Sequence, residues 1–137
     1  MIKVVIFDAD GMTLKSSLFS TRLAKKYNIS HKKILPFFQK EFNDCLIGKA
    51  NLKKEVKKYF AKWGWRKSVD VLLDYWFIKE NEINQQIIRS IKELREKGVK
   101  CLLATNQEKH RTDYIINNLG FKKIFNDKCC RSKEVWI

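Results

Sequence analysis

The sequence predicts an α/β protein in which an open, Rossmann-like parallel sheet carries a helical domain inserted after its first strand. Three observations predict it. Two short apolar runs, Val4–Phe7 and residues 99–104, each stop at polar residues, the pattern of strands buried on both faces. Helical periodicity fills the stretch between them from Ser17 to about Lys79. Beyond it, helix and strand alternate, which argues for parallel pairing through right-handed crossovers.

Each element follows in turn. Val4, Val5, Ile6 and Phe7 form the first strand, and residues 8–13 are a polar loop containing Gly11. Phe19, Leu23 and Tyr27 share one helical face, and Ser30 can cap a short turn. Pro36 is expected to start a second helix, where its missing N–H costs nothing, with Phe37, Phe38 and Phe42 on its apolar side and Gly48 as its stop. Asn51 caps a third helix, in which Leu52, Val56, Tyr59, Phe60 and Trp63 recur at helical spacing until Gly64. Ser68 caps a fourth, with Val71, Leu72, Tyr75 and Trp76; these aromatics read as the core of a small bundle. Residues 84–97 form an amphipathic helix with Ile87, Ile91 and Leu94 in line, ended by Gly98. After the second strand, residues 108–119 form another helix closed by Gly120, and residues 123–126 suit a third, short strand. The expected division is 1–14 with 81–137 as the α/β core and 15–80 as the helical insertion.

The composition agrees with a folded chain. Of 137 residues 45% are hydrophobic and 12% aromatic, which describes one domain's worth of globular protein. No apolar run approaches the roughly 20 residues that cross a bilayer, and the start of the chain lacks a signal-peptide core. The cysteines (Cys45, Cys101, Cys129 and Cys130) form no CxxC pair, so reduced thiols in the cytoplasm are expected. The formal charge of +14 comes mainly from lysines spread along the chain. Without aromatics alternating with a basic run, it reads as solvated surface, and nucleic acid is the least favoured partner.

In a parallel sheet, ligands gather at the carboxyl ends of strands. Two loops fall there: Asp8, Ala9, Asp10 and Gly11, and then Thr105 with Asn106. Two carboxylates one residue apart repel each other, and a divalent cation such as Mg2+ would offset that cost. One of them can attack phosphorus while the other moves protons. Gly11 would let the backbone approach a substrate closely. Thr105 and Asn106, just before a helix, offer a hydroxyl and N–H groups to a phosphate. Both loops have a plainer reading as helix-capping turns.

At these residues the chain resembles the haloacid dehalogenase superfamily. Asp8-Ala9-Asp10-Gly11 after a buried strand looks like the family's motif I, a DxDG pattern followed by Thr or Val. Leu102-Leu103-Ala104-Thr105-Asn106 is similar to motif II, and the helical insertion resembles the α-helical cap of subfamily I. The resemblance implies a Mg2+-dependent phosphatase acting on a small phosphorylated metabolite. Asp8 would be the nucleophile that becomes an aspartyl-phosphate, and Asp10 the general acid and base. Mg2+ would sit on the Asp8 carboxylate and the Asp10 carbonyl. Thr105 would hold the phosphoryl group, helped by the Asn106 backbone.

Some features depart from the family pattern. Met12 stands where Thr or Val is usual. Ser132, Glu134 and Val135 look like the approach to motif III, but Trp136 replaces a glycine there, and the motif III lysine and acidic motif IV would lie beyond Ile137. Lys128 and Lys133 lack the context to substitute for that lysine. The expectation is an incomplete, truncated core with weak or absent turnover, because each electrostatic group aimed at the transition state contributes about 3–4 kcal/mol. Self-association through the unfinished sheet edge is also expected. A non-catalytic phosphate-binding or regulatory module is the alternative.

Overall fold

The structure is a computed structural model that describes residues 1–15, 17–80 and 82–129. Its organising element is a three-stranded parallel sheet, ordered β1 (Val4–Phe7), β4 (Lys100–Ala104), β5 (Asp127–Cys129). Between β1 and β4 the chain forms β2 (Leu14–Lys15), six helices, β3 (Glu82–Ile83) and α7 (Gln85–Glu96). β2 and β3 pair antiparallel where the helical insertion leaves and rejoins the sheet, a junction that two-residue strands do not betray in sequence. Asn84 reinforces it: its N–H donates to the Thr13 carbonyl at 2.8 Å and its Nδ2 to the Met12 carbonyl at 3.2 Å.

Two apolar clusters form. One gathers residues of the insertion, among them Phe19, Leu23, Ile34, Phe37, Leu52, Trp63 and Leu72. The other packs Phe7, Ala9 and Leu14 with Ile88 and Ile91 of α7, Cys101 and Leu103 of β4, and Ile115 and Phe121 beyond. The register sets Phe7 beside Leu103 and Leu103 beside Lys128. Side chains alternate along strands, so all inward-facing residues share one side of the sheet.

That alternation corrects the expectation of a first strand buried on both faces. Phe7 is buried, whereas Val4 and Ile6 are 45% and 64% exposed on the opposite face. Among the described residues only one face of the sheet is covered.

The insertion contains α1 (Phe19–Tyr27), α2 (His31–Gln39), α3 (Glu41–Leu46), α4 (Leu52–Lys57), α5 (Phe60–Trp63) and α6 (Val69–Glu80). Pro36 lies inside α2 and does not begin it. Burial of both Ile34 and Phe37 fixes this segment as helix, and packing outweighs the hydrogen bond a proline cannot make. α2 then ends at Gln39 and α3 starts afresh. The single helix expected after Asn51 is also two, α4 and α5, broken at Lys58 and Tyr59. Turning there lets Trp63 lie across α2 and donate its indole N–H to the Lys33 carbonyl at 2.8 Å. Asn51 does cap α4, its side chain accepting from the Lys54 N–H.

Beyond β4 come α8 (Lys109–Asp113), a π-helical turn Tyr114–Asn118, and α9 (Phe121–Ile124). The short strand expected at 123–126 is therefore displaced to Asp127–Cys129. Phe121 and Phe125, four residues apart, both bury their rings against the sheet, and that i, i+4 spacing demands a helical turn. Asn126 leads into β5 by pairing with Cys101 through both its backbone N–H and its side-chain oxygen, each at 2.8 Å. The readings made for Ser132, Lys133, Glu134, Val135 and Trp136 lie outside the described residues.

Candidate active site at the carboxyl ends of the strands

Because β1 and β4 run parallel in register, the residues that follow Phe7 and Ala104 emerge side by side. Asp8 leaves β1 exposed, and its Oδ1 accepts the Ala9 N–H at 2.6 Å. The chain then closes a tight turn. The Ala9 carbonyl accepts from the N–H groups of Met12 and Leu14, and the Gly11 N–H donates to the Leu14 carbonyl at 2.9 Å. Gly11 has φ +75°, and an added Cβ would meet nothing within 4 Å, so the turn selects glycine for its backbone and not for space. Thr13, fully buried, fastens the turn by donating its hydroxyl to the Asp8 carbonyl at 3.0 Å.

Asp10 is the best-connected acid of this loop. Arg111 of α8 grips it with both terminal nitrogens, Nη2 to Oδ1 at 2.6 Å and Nη1 to Oδ2 at 3.1 Å. Gln107 adds a third donor, Nε2 to Oδ2 at 2.7 Å, and the same Nε2 lies 3.2 Å from Thr105 Oγ1. Arg111 Nη1 also donates to Gln107 Oε1 at 2.9 Å. Asp10 and Thr105 are thus brought together through one amide. Paired donors from a guanidinium fix the plane of the carboxyl group they hold.

Gln107 and Arg111 escaped the reading of the sequence. Gln107 lies just before α8 and Arg111 within it, so their only local mark is that they closely follow Thr105 and Asn106. In a chain with 29 lysines and arginines, one arginine does not stand out until burial is known. Arg111 is only 8% exposed. Asn106 is exposed and borders the space between sheet and insertion.

Glu108 begins α8 and accepts the N–H groups of His110 and Arg111 with its carboxylate. Burial pushes its carboxyl above the usual range, and those two N–H groups act in the opposite direction. Cys45, facing it from α3, has its thiol pushed up to about 12 by burial first and by the Glu108 charge second. Such a thiol is inert.

The donor set can be tested against a hard cation. Mg2+ is commonly held by one or two carboxylates and keeps several waters. Asp8 offers an exposed carboxylate and the adjacent turn offers main-chain carbonyls, while the Asp10 carboxylate is engaged by Arg111. An exposed carboxylate with its second oxygen still open, beside main-chain carbonyls, suits Mg2+. Among the described residues no cluster of three His, Cys, Asp or Glu side chains occurs.

Comparisons with known proteins follow the same direction. A family model described as haloacid dehalogenase-like hydrolase matches residues 2–136. The fold is similar to that of a haloacid dehalogenase family enzyme from Bacteroides thetaiotaomicron, crystallised with magnesium and inorganic phosphate. That likeness has a TM-score of 0.73 and 16% identity, over 95% of this chain and 69% of the other. The magnesium complex of that enzyme gives a TM-score of 0.73 at 17% identity, over 94% and 67% of the two chains. No curated protein matches the sequence.

Proposed function

Since the chain belongs to the haloacid dehalogenase-like hydrolases, we propose that it acts as a Mg2+-dependent phosphatase on a small phosphorylated metabolite, with Asp8 and Asp10 as its catalytic pair. The observation that carries this reading is the Gln107 bridge, which joins Asp10 to Thr105 across two strand ends. Support comes also from the magnesium and phosphate bound by the Bacteroides enzyme of similar fold. In this reading residues 15–80 are a cap domain over a core of 1–14 and 81–137.

Asp8, exposed at the end of β1, attacks phosphorus with a carboxylate oxygen and becomes the aspartyl-phosphate. Asp10 gives a proton to the departing oxygen, then takes one from the water that attacks phosphorus and frees Asp8. Thr105 donates its hydroxyl to a phosphoryl oxygen, the Asn106 N–H adds a second donor, and Gly11 keeps the loop's backbone close to the ester. Mg2+, held by the Asp8 carboxylate and the Asp10 carbonyl, would neutralise charge on the phosphoryl group. Gln107 and Arg111 aim the Asp10 carboxylate. Buried thiols at Cys45 and Cys101 suit a reducing, cytoplasmic compartment. Among the described residues no helix is long and apolar enough to cross a membrane.

A second reading is favoured by the same Arg111 clamp, which occupies both side-chain oxygens of Asp10: a phosphate-binding module without turnover. Hydrolysis of an aryl phosphate with and without Mg2+ separates the two. Mg2+-dependent turnover lost in Asp8→Asn supports the phosphatase. Phosphate binding without turnover supports the module, and absence of both overturns the site.

A further inference from the structure

We propose that the leaving group of the substrate is an apolar or aromatic moiety, received by a cavity of about 290 Å³ between sheet and insertion. This inference rests on the phosphatase reading and specifies the half of the substrate that the reading leaves open.

Asp10 and Asn106 line the cavity on its core side, and Asp8 is not among its lining residues. The cavity therefore lies on the side where the proton donor meets the departing oxygen, and what fills it is the organic part of the ester. The wall opposite is built by Phe38, Phe42, Leu46 and Trp76, and among the described residues Ser20 is the one hydroxyl that the insertion adds. Trp76 is fixed there by stacking on Phe19, with ring centroids 4.3 Å apart and planes 5° off parallel. Phe38 meets both Phe42 and Trp76 edge-on, at 5.4 and 5.6 Å.

On the core side the charged groups already answer one another. Arg111 is spent on Asp10 and Gln107, and Gln107 on Asp10 and Thr105. A polyol entering this space would give up water for few partners, which costs free energy for every hydroxyl left unpaired. An apolar group loses nothing of that kind and gains by burial. Size agrees with this chemistry: a cavity of about 150 Å³ accepts benzene, so the space here accommodates a bicyclic ring or a branched chain of similar bulk.

The test is titration calorimetry of the whole chain with Mg2+ present. Three non-hydrolysed probes are compared: inorganic phosphate, dihydroxybutylphosphonate (the phosphonate analogue of glycerol phosphate) and naphthylmethylphosphonate. A difference of a few buried methylenes changes selectivity by about tenfold or more, so the naphthyl compound is expected to bind at least about tenfold tighter than either other anion. Phe42→Ala and Leu46→Ala, both at half-buried positions, are expected to bring that ratio toward one. Equal affinity for all three anions overturns the apolar leaving group and leaves the phosphatase reading standing. Neutral naphthylmethanol binding as tightly as the phosphonate overturns it too, because the cavity would then be unconnected to the phosphoryl site. Failure of every anion to bind overturns the inference together with the reading beneath it.

Discussion

The helical insertion and the sheet bury their apolar residues in different ways. The insertion closes on itself: α1, α2, α4 and α6 turn Leu23, Ile34, Phe37, Val56 and Leu72 inward until each is fully or almost fully buried. The sheet closes on one side only. Phe7, Cys101 and Leu103 are covered by α7 and the helices after β4, while Ile2, Val4 and Ile6 remain on the surface at 71%, 45% and 64% exposure. A helix buries a stripe and can finish its packing with neighbours of its own kind, whereas a central strand needs a partner layer on each face. The difference separates residues that govern folding from residues that govern association.

The largest expected effect is in the insertion. Phe37 packs edge-on against Phe38, Tyr59 and Trp63, with centroids 5.0, 5.5 and 5.7 Å away. Phe37→Ala is expected to destabilise the protein by about 3–5 kcal/mol, the cost of a large cavity in a rigid surround. Urea unfolding followed by tryptophan fluorescence measures it. A loss below about 1 kcal/mol would mean that the aromatic cluster relaxes around the gap, and the contrast with the sheet would fail.

Substitution on the open face should do the reverse. We propose that two copies associate through this face and the outer edge of β1, which has no neighbouring strand among the described residues. Ile6→Ser is expected to change unfolding free energy by only about 0.5 kcal/mol, the range of surface positions. The same variant should lower the apparent mass seen in light scattering at high concentration. A wild-type chain that stays monomeric at those concentrations removes the proposal.

The contrast also explains how much the sequence disclosed. The strand before Asp8, the strand before Thr105 and the helical insertion were readable, because each rests on local pattern: an apolar run, a polar stop, a period near 3.6. Membership of the hydrolase family followed from the same two loops. Features fixed by tertiary contact were not readable. Pro36 sits within α2 because Ile34 and Phe37 are both buried, and α4 parts from α5 so that Trp63 can reach the Lys33 carbonyl. The third strand moved to Asp127–Cys129 because Phe121 and Phe125 share a helical face. In the candidate site, Asp8, Asp10, Gly11, Thr105 and Asn106 could be named from motif spacing. Gln107 and Arg111 could not, since nothing local marks an arginine whose partner lies 101 residues away.

The smallest effect concerns Glu108, which stands where the two regions meet. With Cys45 it lines a cavity of about 350 Å³ between α3 and the start of α8. Its carboxyl is raised by burial, against the pull of the N–H groups it caps and with a further push from Asp113. The sign follows from proton counting. Between the unfolded and folded values the native state holds the proton and the unfolded chain has lost it. The group's contribution to stability is therefore fully present below the unfolded value and declines as pH rises through the folded one. Glu108→Gln keeps a side-chain oxygen for the cap and cannot ionise. Thermal unfolding from pH 4 upward should show the variant gaining on the wild type as pH rises. If the wild type gains instead, the capping N–H groups outweigh burial, and the junction between insertion and sheet is more polar than its 3% exposure implies.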